Sequence, residues 1–419
     1  MRRRLFSGGR LALLAATIST ACASSAFAAA SLGVMYTWGR NNIEQLGYRT
    51  ATEINPTQQS FLSPVEVTSV SLGVSHGLTV INGQVWAWGD NAFGQLGIPA
   101  SPLAYGALQV EGLPEGMQHV SAGLYHSVAL KDGALWAWGR NQNGQLGNGD
   151  TTGTNSHVPV TVRNLQSGVT KFSAGGFHNL AIKDGALWAW GRNNVGQLGT
   201  GTGALVNPAA VPGMGSGVTA IDAGINHSLA IKDGAVYGWG YNFHGQVGNG
   251  TTFNGGVTAP FAIPQLSSGF VDVAAGAFHS LALTADGQVW AWGEADTGQL
   301  GQPNLGLGGP TTRIGTPMLI PNLTGIVDIA ASNYNSYALA GDGSLWVWGN
   351  NQYGQLGIGT LDYFNVPTRI APPAGYRYTS VDTGTFFALA TLAPVIPEPG
   401  MLAILPAIAL MFSRRRRPQ

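Results

Sequence analysis

The sequence has few of the residues that mark disulfide-stapled or nucleic-acid-binding proteins. Its single cysteine is Cys22, close to the N-terminus, so the rest of the chain offers no thiol for a disulfide. Residues 29–395 hold 12 lysines and arginines against 19 aspartates and glutamates, a net charge of −7. Nucleic-acid-binding domains present basic surfaces to phosphates, so this composition argues against DNA or RNA as a partner.

The chain also lacks the short motifs of common enzymes. It contains no G-x-S-x-G, H-E-x-x-H or Walker A string. The glycine-rich residues 305–310 precede no helix pattern, and residues 148–153 contain one acid, too few for a calcium loop. We therefore expect a protein without enzymatic activity, cofactor or metal site.

One string recurs along the chain. "VWAWGDNAFGQLG" (residues 85–97) returns with small changes six more times, counting a weaker first copy at residues 34–47. The tryptophan before its first glycine recurs every 49 to 56 residues, at Trp38, Trp88, Trp138, Trp190, Trp239, Trp292 and Trp348. A period near 50 residues indicates a repeat architecture rather than several unrelated domains.

A second recurring string, such as "VSAGLYHSVAL" (residues 120–130), precedes the first string in each unit. Between the two lies Asn-Gly or Asp-Gly in six units, a strong signal for a two-residue β-hairpin turn. Segments such as "HVPVTVRNL" and "TPMLIPNL" are expected to add further short strands to each hairpin.

The order of the strings predicts how the repeats close. The chain begins with the tryptophan string alone and ends with the other string alone, at residues 381–391. Pairing of these terminal strands would complete one unit and remove the open ends of the array. We therefore predict an all-β, single seven-bladed β-propeller over residues 29–394, with a composite seventh blade.

The tryptophan string of residues 85–97 also predicts how the blades stack. Its tryptophans, two residues apart, share one face of a strand, while Val85 and Ala87 share the other. Bulky rings on one face and small residues on the other suit sheets that stack on each other. The leucine of "GQLG" is expected to fill the joint, and its glutamine to satisfy loop backbone groups.

The combined pattern "AGxxHSLAL–DG–xxWAWGxNxxGQLG" resembles the regulator-of-chromosome-condensation (RCC1) repeat. The resemblance covers about residues 32–391 and implies a seven-bladed propeller. The eukaryotic founder of that family is an exchange factor for a nuclear GTPase and binds chromatin. Other members are protein-binding modules, among them a secreted bacterial inhibitor of β-lactamases.

The repeats suggest two sets of candidate functional residues. His76, His126, His178, His227 and His279 occupy equivalent places in separate units, so we interpret them as bonded to a neighbouring strand rather than as a metal site. The position before the histidine is expected on a turn near the channel mouth, where aromatic residues either bind a ligand or pack over neighbouring blades. The candidate binding residues there are Tyr125, Phe177, Asn226, Phe278, Tyr334 and Phe386.

Both ends of the chain resemble targeting segments. Residues 1–28 begin with arginines, continue with a short apolar stretch and end in Ala26-Phe27-Ala28, which predicts a signal peptide for export. The export route stays open, since Arg3-Arg4 weakly resembles a twin-arginine signal. A lipoprotein site at Cys22 is disfavoured, because Ser19 stands where such a site has leucine.

The last segment, residues 395–419, resembles a PEP-CTERM sorting signal. A Pro-Glu-Pro triplet precedes a 12-residue apolar run and four arginines; these residues are Pro397, Glu398, Pro399, Arg414, Arg415, Arg416 and Arg417. A helix of that length spans only about 18 Å, too short for a comfortable membrane anchor, so a transient stop at the inner membrane fits better than a tail anchor. The resemblance implies processing by an exosortase of a Gram-negative bacterium.

These observations predict an exported binding module for a protein or polysaccharide of the outer envelope or extracellular matrix. Two alternatives remain open. One is a secreted inhibitor of a specific enzyme, and the other is a carbohydrate-active enzyme, which would need paired carboxylates across one face of the ring.

Overall fold

The computed structural model describes residues 31–48, 52–58, 65–99, 103–201, 203–252, 255–305 and 312–395. The predicted signal peptide and the sorting signal from Pro397 to Arg417 lie outside these residues. In the described part of the chain no helix is long and apolar enough to cross a membrane.

The described residues form 28 strands in seven four-stranded antiparallel blades around a central channel. The innermost strands are β3 (Val65–Leu72), β7 (His119–Ala122), β11 (Val169–Ala174), β15 (Val218–Ala223), β19 (Phe270–Ala275), β23 (Ile326–Ala331) and β27 (Tyr376–Thr383). The second strands are β4 (His76–Ile81), β8 (His126–Lys131), β12 (His178–Lys183), β16 (His227–Lys232), β20 (His279–Thr284), β24 (Asn335–Ala340) and β28 (Phe387–Pro394).

The recurring tryptophan string forms the third strand of each blade. These strands are β5 (Gln84–Asp90), β9 (Ala134–Gly139), β13 (Ala186–Gly191), β17 (Ala235–Tyr241), β21 (Val289–Glu294), β25 (Leu345–Gly349) and β1 (Ser31–Gly39). The outer strands are β6 (Leu103–Gln109), β10 (Ser156–Thr161), β14 (Leu205–Ala210), β18 (Gly256–Ala262), β22 (Arg313–Leu319), β26 (Phe364–Ile370) and β2 (Glu53–Gln58). Blade 1 is β3–β6, the next blades follow in order, and blade 7 is β27, β28, β1 and β2; a 3₁₀ turn, Pro264–Leu266, follows β18.

The predicted closure of the ring is confirmed. Strand β1 pairs antiparallel with β28 over six residue pairs, from Val34 opposite Leu392 to Gly39 opposite Phe387. The first residues of β1 also pair with β3, which joins the closing blade to blade 1. The ring is therefore closed by backbone hydrogen bonds between strands from the two ends of the described chain.

The hairpin prediction is right for four blades and wrong in detail for two. Asn82, Asp132, Asp184 and Asp233 have φ near +50° and are followed by glycines with positive φ, as a two-residue type I′ turn requires. Asp286 and Asp342 do not have positive φ, because blades 5 and 6 carry a longer turn. In blade 5 the Gly287 amide donates to Thr284 O and the Thr284 amide donates to Gln288 O, a turn with a glycine bulge.

The core consists of seven clusters, one at each joint between blades. At the first joint, Trp136 and Trp138 of blade 2 pack against Val85 and Ala87 of blade 1, as the two-faced pattern predicts. The tryptophan before the glycine is completely buried or nearly so in every unit, while the aromatic residue two positions earlier, a tryptophan in five units and a tyrosine in two, is half-buried. Burial of these apolar side chains between blades therefore stabilises the ring.

The glutamine of the "GQLG" string is buried and has two roles, one of which the sequence predicts. In each unit its side-chain Oε1 accepts a hydrogen bond from a loop amide two residues earlier, as from Phe93 to Gln95. Its main-chain oxygen also accepts the indole N–H of the next blade at 2.7–3.0 Å. This bond recurs at all seven joints, including Trp38 to Gln355 across the closing blade.

Candidate functional site

The six candidate binding residues lie on one face of the ring, which we call the loop face. It is formed by the turns between first and second strands and by the "GxNxxGQLG" loops between third and outer strands. The first-to-second-strand turns line the mouth of the channel, a cavity of about 140 Å³. Tyr125, Phe177, Asn226, Phe278, Tyr334 and Phe386 directly follow these lining residues and are all half-buried.

The structure brings most of these side chains into ring contacts. The centroids of Tyr125 and Phe177 lie 6.1 Å apart, and those of Phe278 and Tyr334 lie 5.7 Å apart. Phe386 contacts Tyr353 at 5.2 Å. The aromatic positions thus pack across blade joints and still keep part of their surface exposed.

The sequence alone did not indicate the ring contacts that the "GxNxxGQLG" loops make with these candidate binding residues. Phe93 meets Tyr125 edge-on at 5.2 Å, and the His244 ring lies 4.4 Å from that of Phe278. The signal was present in the variable x positions of the loop string. Those positions point onto the same face because each loop packs beside the first-to-second-strand turn of the next blade.

Arginines cover the aromatic rings of the loop face. The Arg140 guanidinium lies 4.9 Å from the centroid of Phe93, 5.6 Å from Tyr125 and 5.3 Å from Phe177. Arg192 lies over Phe177 as well, and Arg40 covers Tyr353 and Phe386. A guanidinium on an aromatic face gains cation–π attraction and keeps its N–H groups available for carboxylates.

A second cluster lies across the face, on blades 4 and 5. Arg313 sits 3.8 Å from the Phe243 ring centroid, and His244 Nδ1 lies 3.2 Å from Glu294 Oε1. Both members of that His–Glu pair are mostly buried. The loop face therefore combines planar cations, aromatic rings and one buried carboxylate.

The repeat histidines are bonded to neighbouring blades, as the sequence predicts. Nε2 of His76, His178, His227 and His279 contacts a serine hydroxyl of the next blade, and His126 Nε2 contacts Asn179 Oδ1, all at 2.8–3.1 Å. Ser127, Ser228, Ser280 and Ser336 each donate their hydroxyl hydrogen to a glutamine carbonyl, so the histidine must be the donor.

These imidazoles are neutral structural groups. Burial lowers the pKa of His76, His178, His227 and His279 to about 3 and that of His126 to about 4. Among the described residues no group of three or more His, Cys, Asp or Glu could hold a metal ion.

The channel, about 540 Å³ in volume, contains carboxylates that hold the inner strands together. Asp382 Oδ2 accepts the Leu72 amide at 2.6 Å, and Asp222 Oδ2 accepts the Ala275 amide at 2.8 Å. Burial raises the pKa of Asp328 and Asp382 to about 7. Burial also raises the pKa of Asp272 well above its usual range, with the nearby Asp328 adding to the shift and Lys171 opposing it.

The sequence matches a known family model. The RCC1-like domain model matches residues 9–269 and again residues 153–393. The two ranges overlap and are offset by about three repeats, as expected when one ring model is laid on a repetitive chain in two registers.

Curated relatives share shorter stretches of the chain. RCC1 domain-containing protein RUG3, mitochondrial, of Arabidopsis thaliana is 35% identical over 132 residues, which cover 31% of this chain and 28% of that protein. Protein RCC1 of Candida albicans is 37% identical over 124 residues, 27% of each chain. Human E3 ubiquitin-protein ligase HERC2 is 32% identical over 134 residues, 31% of this chain and 3% of HERC2. The aligned stretch spans less than a third of each of these relatives.

Solved structures match nearly the whole ring. Yeast RCC1 (Prp20), in a crystal structure bound to Kap60, superposes with a TM-score of 0.81, covers 95% of this chain and 98% of that chain, and is 23% identical. Human WBSCR16 superposes with a TM-score of 0.76, covers 87% of this chain and 100% of that chain, and is 24% identical. At these identities the likeness shows the shared fold alone.

Proposed function

This chain belongs to the RCC1-like domain family, and from that premise we propose that it is a non-enzymatic binding module whose recognition surface is the loop face. Yeast RCC1 was crystallised with another protein bound, which supports the use of this fold as a protein-binding platform. The proposed ligand of this chain is a protein or polysaccharide of the bacterial envelope or extracellular matrix.

One observation carries the proposal: half-buried aromatic rings, covered by arginines, are concentrated around one mouth of the ring. Four of the domain's arginines, Arg40, Arg140, Arg192 and Arg313, lie over rings of the loop face. Aromatic and arginine side chains dominate binding energy at protein interfaces. Aromatic faces also stack on sugars, and guanidinium groups pair with carboxylates. The chemistry therefore suits a partner that presents acidic groups beside apolar or sugar surfaces.

The proposed location rests on the two ends of the sequence. Residues 1–28 support export, and the Pro-Glu-Pro triplet with the terminal arginines supports sorting by an exosortase after transient contact with the inner membrane. Within this proposal the exosortase and the export machinery are processing partners, and the ligand of the loop face is a separate molecule.

The proposal is tested by comparing loop-face variants in a capture experiment. The full chain and the triple variant Tyr125→Ala, Phe177→Ala and Phe278→Ala are immobilised and exposed to envelope protein and to extracellular polysaccharide from the source organism. We expect the triple variant to lose at least about tenfold in retention of one of the two, since truncating interface aromatics costs about 1–2 kcal/mol or more each.

Two controls make the result specific. Lys131→Ala lies at a hairpin turn on the opposite face and should leave retention unchanged, and thermal unfolding should show that the triple variant is still folded. Arg140→Ala removes a cation and leaves the rings in place, so it should weaken retention on its own. Equal retention by the wild type and both loop-face variants would contradict the proposal.

A further inference from the structure

The outer strands of six blades share a proline that blade 1 lacks. In every blade the outer strand bulges, so that three of its residues face the one buried tryptophan of the third strand. The last of these three residues is Pro56, Pro159, Pro208, Pro260, Pro317 or Pro367 in blades 7 and 2–6. In blade 1 the same register position is Ala107, because Ala87 pairs with Leu108 and Gly89 with Ala104.

A proline at this position removes a hydrogen-bond donor from the outer edge of the sheet. Val110 donates its amide to Val85 O, toward the inner side of the sheet. Because backbone groups alternate along a strand, those of Gln109 and Ala107 point to the open side. Proline removes one of these outward N–H groups in six blades and places its ring at the edge, a known means of preventing strand addition. Blade 1 has no such protection.

The exposed strand of blade 1 is also apolar and uncharged. Strand β6 reads LAYGALQ, Leu108 is 45% exposed, and a Cβ built on Gly106 would meet no atom within 4 Å. Three other outer strands carry a charge, at Glu53, Arg313 and Arg369. In a two-fold pairing centred on the residue after the proline position, Arg369 would lie close to its equivalent, which is unfavourable, whereas Glu53 and Arg313 lie four and five residues from that centre. Strand β6 is free of this repulsion.

We propose that β6 is a docking edge for a second copy of this chain, which adds its own β6 antiparallel across a two-fold axis. The register that fits pairs Ala107 with Gln109 of the second copy. Their outward amides and carbonyls then form four hydrogen bonds, and the two Leu108 side chains meet on the axis. The two rings join edge to edge, and both loop faces stay open. The contact is small, so the dimer is weak and forms at high local concentration.

The test measures the molar mass of the full chain by sedimentation up to about 300 µM, a range suited to a weak contact. Ala107→Pro copies the residue of the other six blades. It should leave the unfolding temperature unchanged and raise the dimer Kd at least about tenfold, since it removes two of four hydrogen bonds and blocks the edge. Ala107→Ser keeps the amide and should behave as the wild type.

Two further measurements decide the outcome if proline perturbs the blade. Leu108→Lys places two like charges on the axis while altering only an exposed side chain, and it should also abolish the dimer. Amide hydrogen exchange of the wild type should show protection of Ala107 and Gln109 that increases with concentration. A wild type that stays monomeric over the whole range overturns the proposal, as does association that survives Ala107→Pro and Leu108→Lys or that protects another surface.

Discussion

Five joints of the ring differ in kind from the two that flank blade 7. Between blades 1 and 6, each joint has a histidine that donates to a serine or asparagine of the next blade. At the joint between blades 7 and 1, Phe387 replaces the histidine and Gly77 replaces the hydroxyl. At the joint between blades 6 and 7, Asn335 replaces the histidine and Ala388 the hydroxyl.

The comparison shows that donor and acceptor change together. A buried imidazole N–H without a partner is costly, so histidine is present where the next blade supplies an acceptor and absent where it does not. At the sixth joint Tyr337 takes over part of the network, since its hydroxyl donates to Gln355 O at 2.5 Å and accepts from Asn335 Nδ2 at 2.7 Å. Blade 7 instead depends on the ladder between β1 and β28.

The largest effect is expected from removing that ladder. Deleting residues 32–39 eliminates β1, which pairs with β28, β2 and β3, and with it Trp38 at the core of the last joint. Because no histidine bond holds either flank of blade 7, we expect the whole ring to unfold rather than one blade. Circular dichroism during thermal unfolding measures this, and a cooperative transition at the wild-type temperature would show that the closing strand is dispensable.

The second prediction uses pH to distinguish the two kinds of joint. An unfolded histidine takes up a proton near pH 6.5, whereas the pKa of His178 in the ring is lowered to about 3. The stabilisation from a group of this kind is complete above pH 6.5 and is lost as the pH falls towards 3. His178→Phe, which copies Phe387, should reduce the slope of unfolding free energy against pH by about 1.4 kcal/mol per pH unit around pH 5, the value for one proton.

A matched control separates this effect from a change in packing. Phe387→Leu alters the same position in blade 7 without a titrating group, so it should shift stability and leave the slope unchanged. Asp328 and Asp382, whose pKa values are raised to about 7, act in the opposite direction, since their burial destabilises the fold increasingly from pH 4 to pH 7. Their contribution is common to all three proteins and cancels. A slope that His178→Phe does not change would mean that His178 titrates normally in the folded ring.

The smallest effect is expected from building a sixth histidine joint. Asn335→His with Tyr337→Leu copies His279 and Leu281 but leaves the imidazole without an acceptor. Adding Ala388→Ser supplies the hydroxyl and should recover about 1 kcal/mol of unfolding free energy, the net value of a buried hydrogen bond. Denaturant titration of the double and triple variants measures the difference.

The same substitution should give no such gain in the wild-type background. There the Tyr337 hydroxyl already donates to the Gln355 carbonyl, which the introduced serine hydroxyl would otherwise use. An equal effect of Ala388→Ser in both backgrounds would show that the serine acts locally and that the joint is not a coupled unit.

Much of the fold could be predicted from the sequence because the two recurring strings mark where each repeat begins and ends. The tryptophan period gave the number of blades, and the incomplete first and last units gave the closure. The longer turns at Asp286 and Asp342 were missed because one extra residue before the Asp-Gly pair changes the turn type without changing the pair itself. Pairing of histidine with hydroxyl was also hidden, since His76 and Ser127 are 51 residues apart and belong to different repeats.

The candidate site was only partly visible in the sequence. The positions before the histidines lie on one face with Tyr125 and Phe177 in contact. Their loop aromatic partner Phe93 comes from the preceding blade, and the arginines over them come from the loop of the same or the preceding blade. Residues such as Phe93 and Arg140 occupy variable positions of a string whose constant residues have structural roles. A single sequence does not distinguish residues at such positions that bind a ligand from residues that only pack. Whether the loop-face aromatics bind a ligand stays a prediction.

The bond from each indole to the preceding blade's glutamine gives the ring a direction. Every repeat carries both halves of this connection: a carbonyl for its successor and an indole for its predecessor. A gene duplication that copies one repeat therefore copies both a carbonyl acceptor and an indole donor, so the new unit can form this bond with the blade on either side of it. The number of blades is then limited by the wedge angle of the stacked sheets, and a chain opened at another blade boundary, with its present ends joined, encodes the same ring.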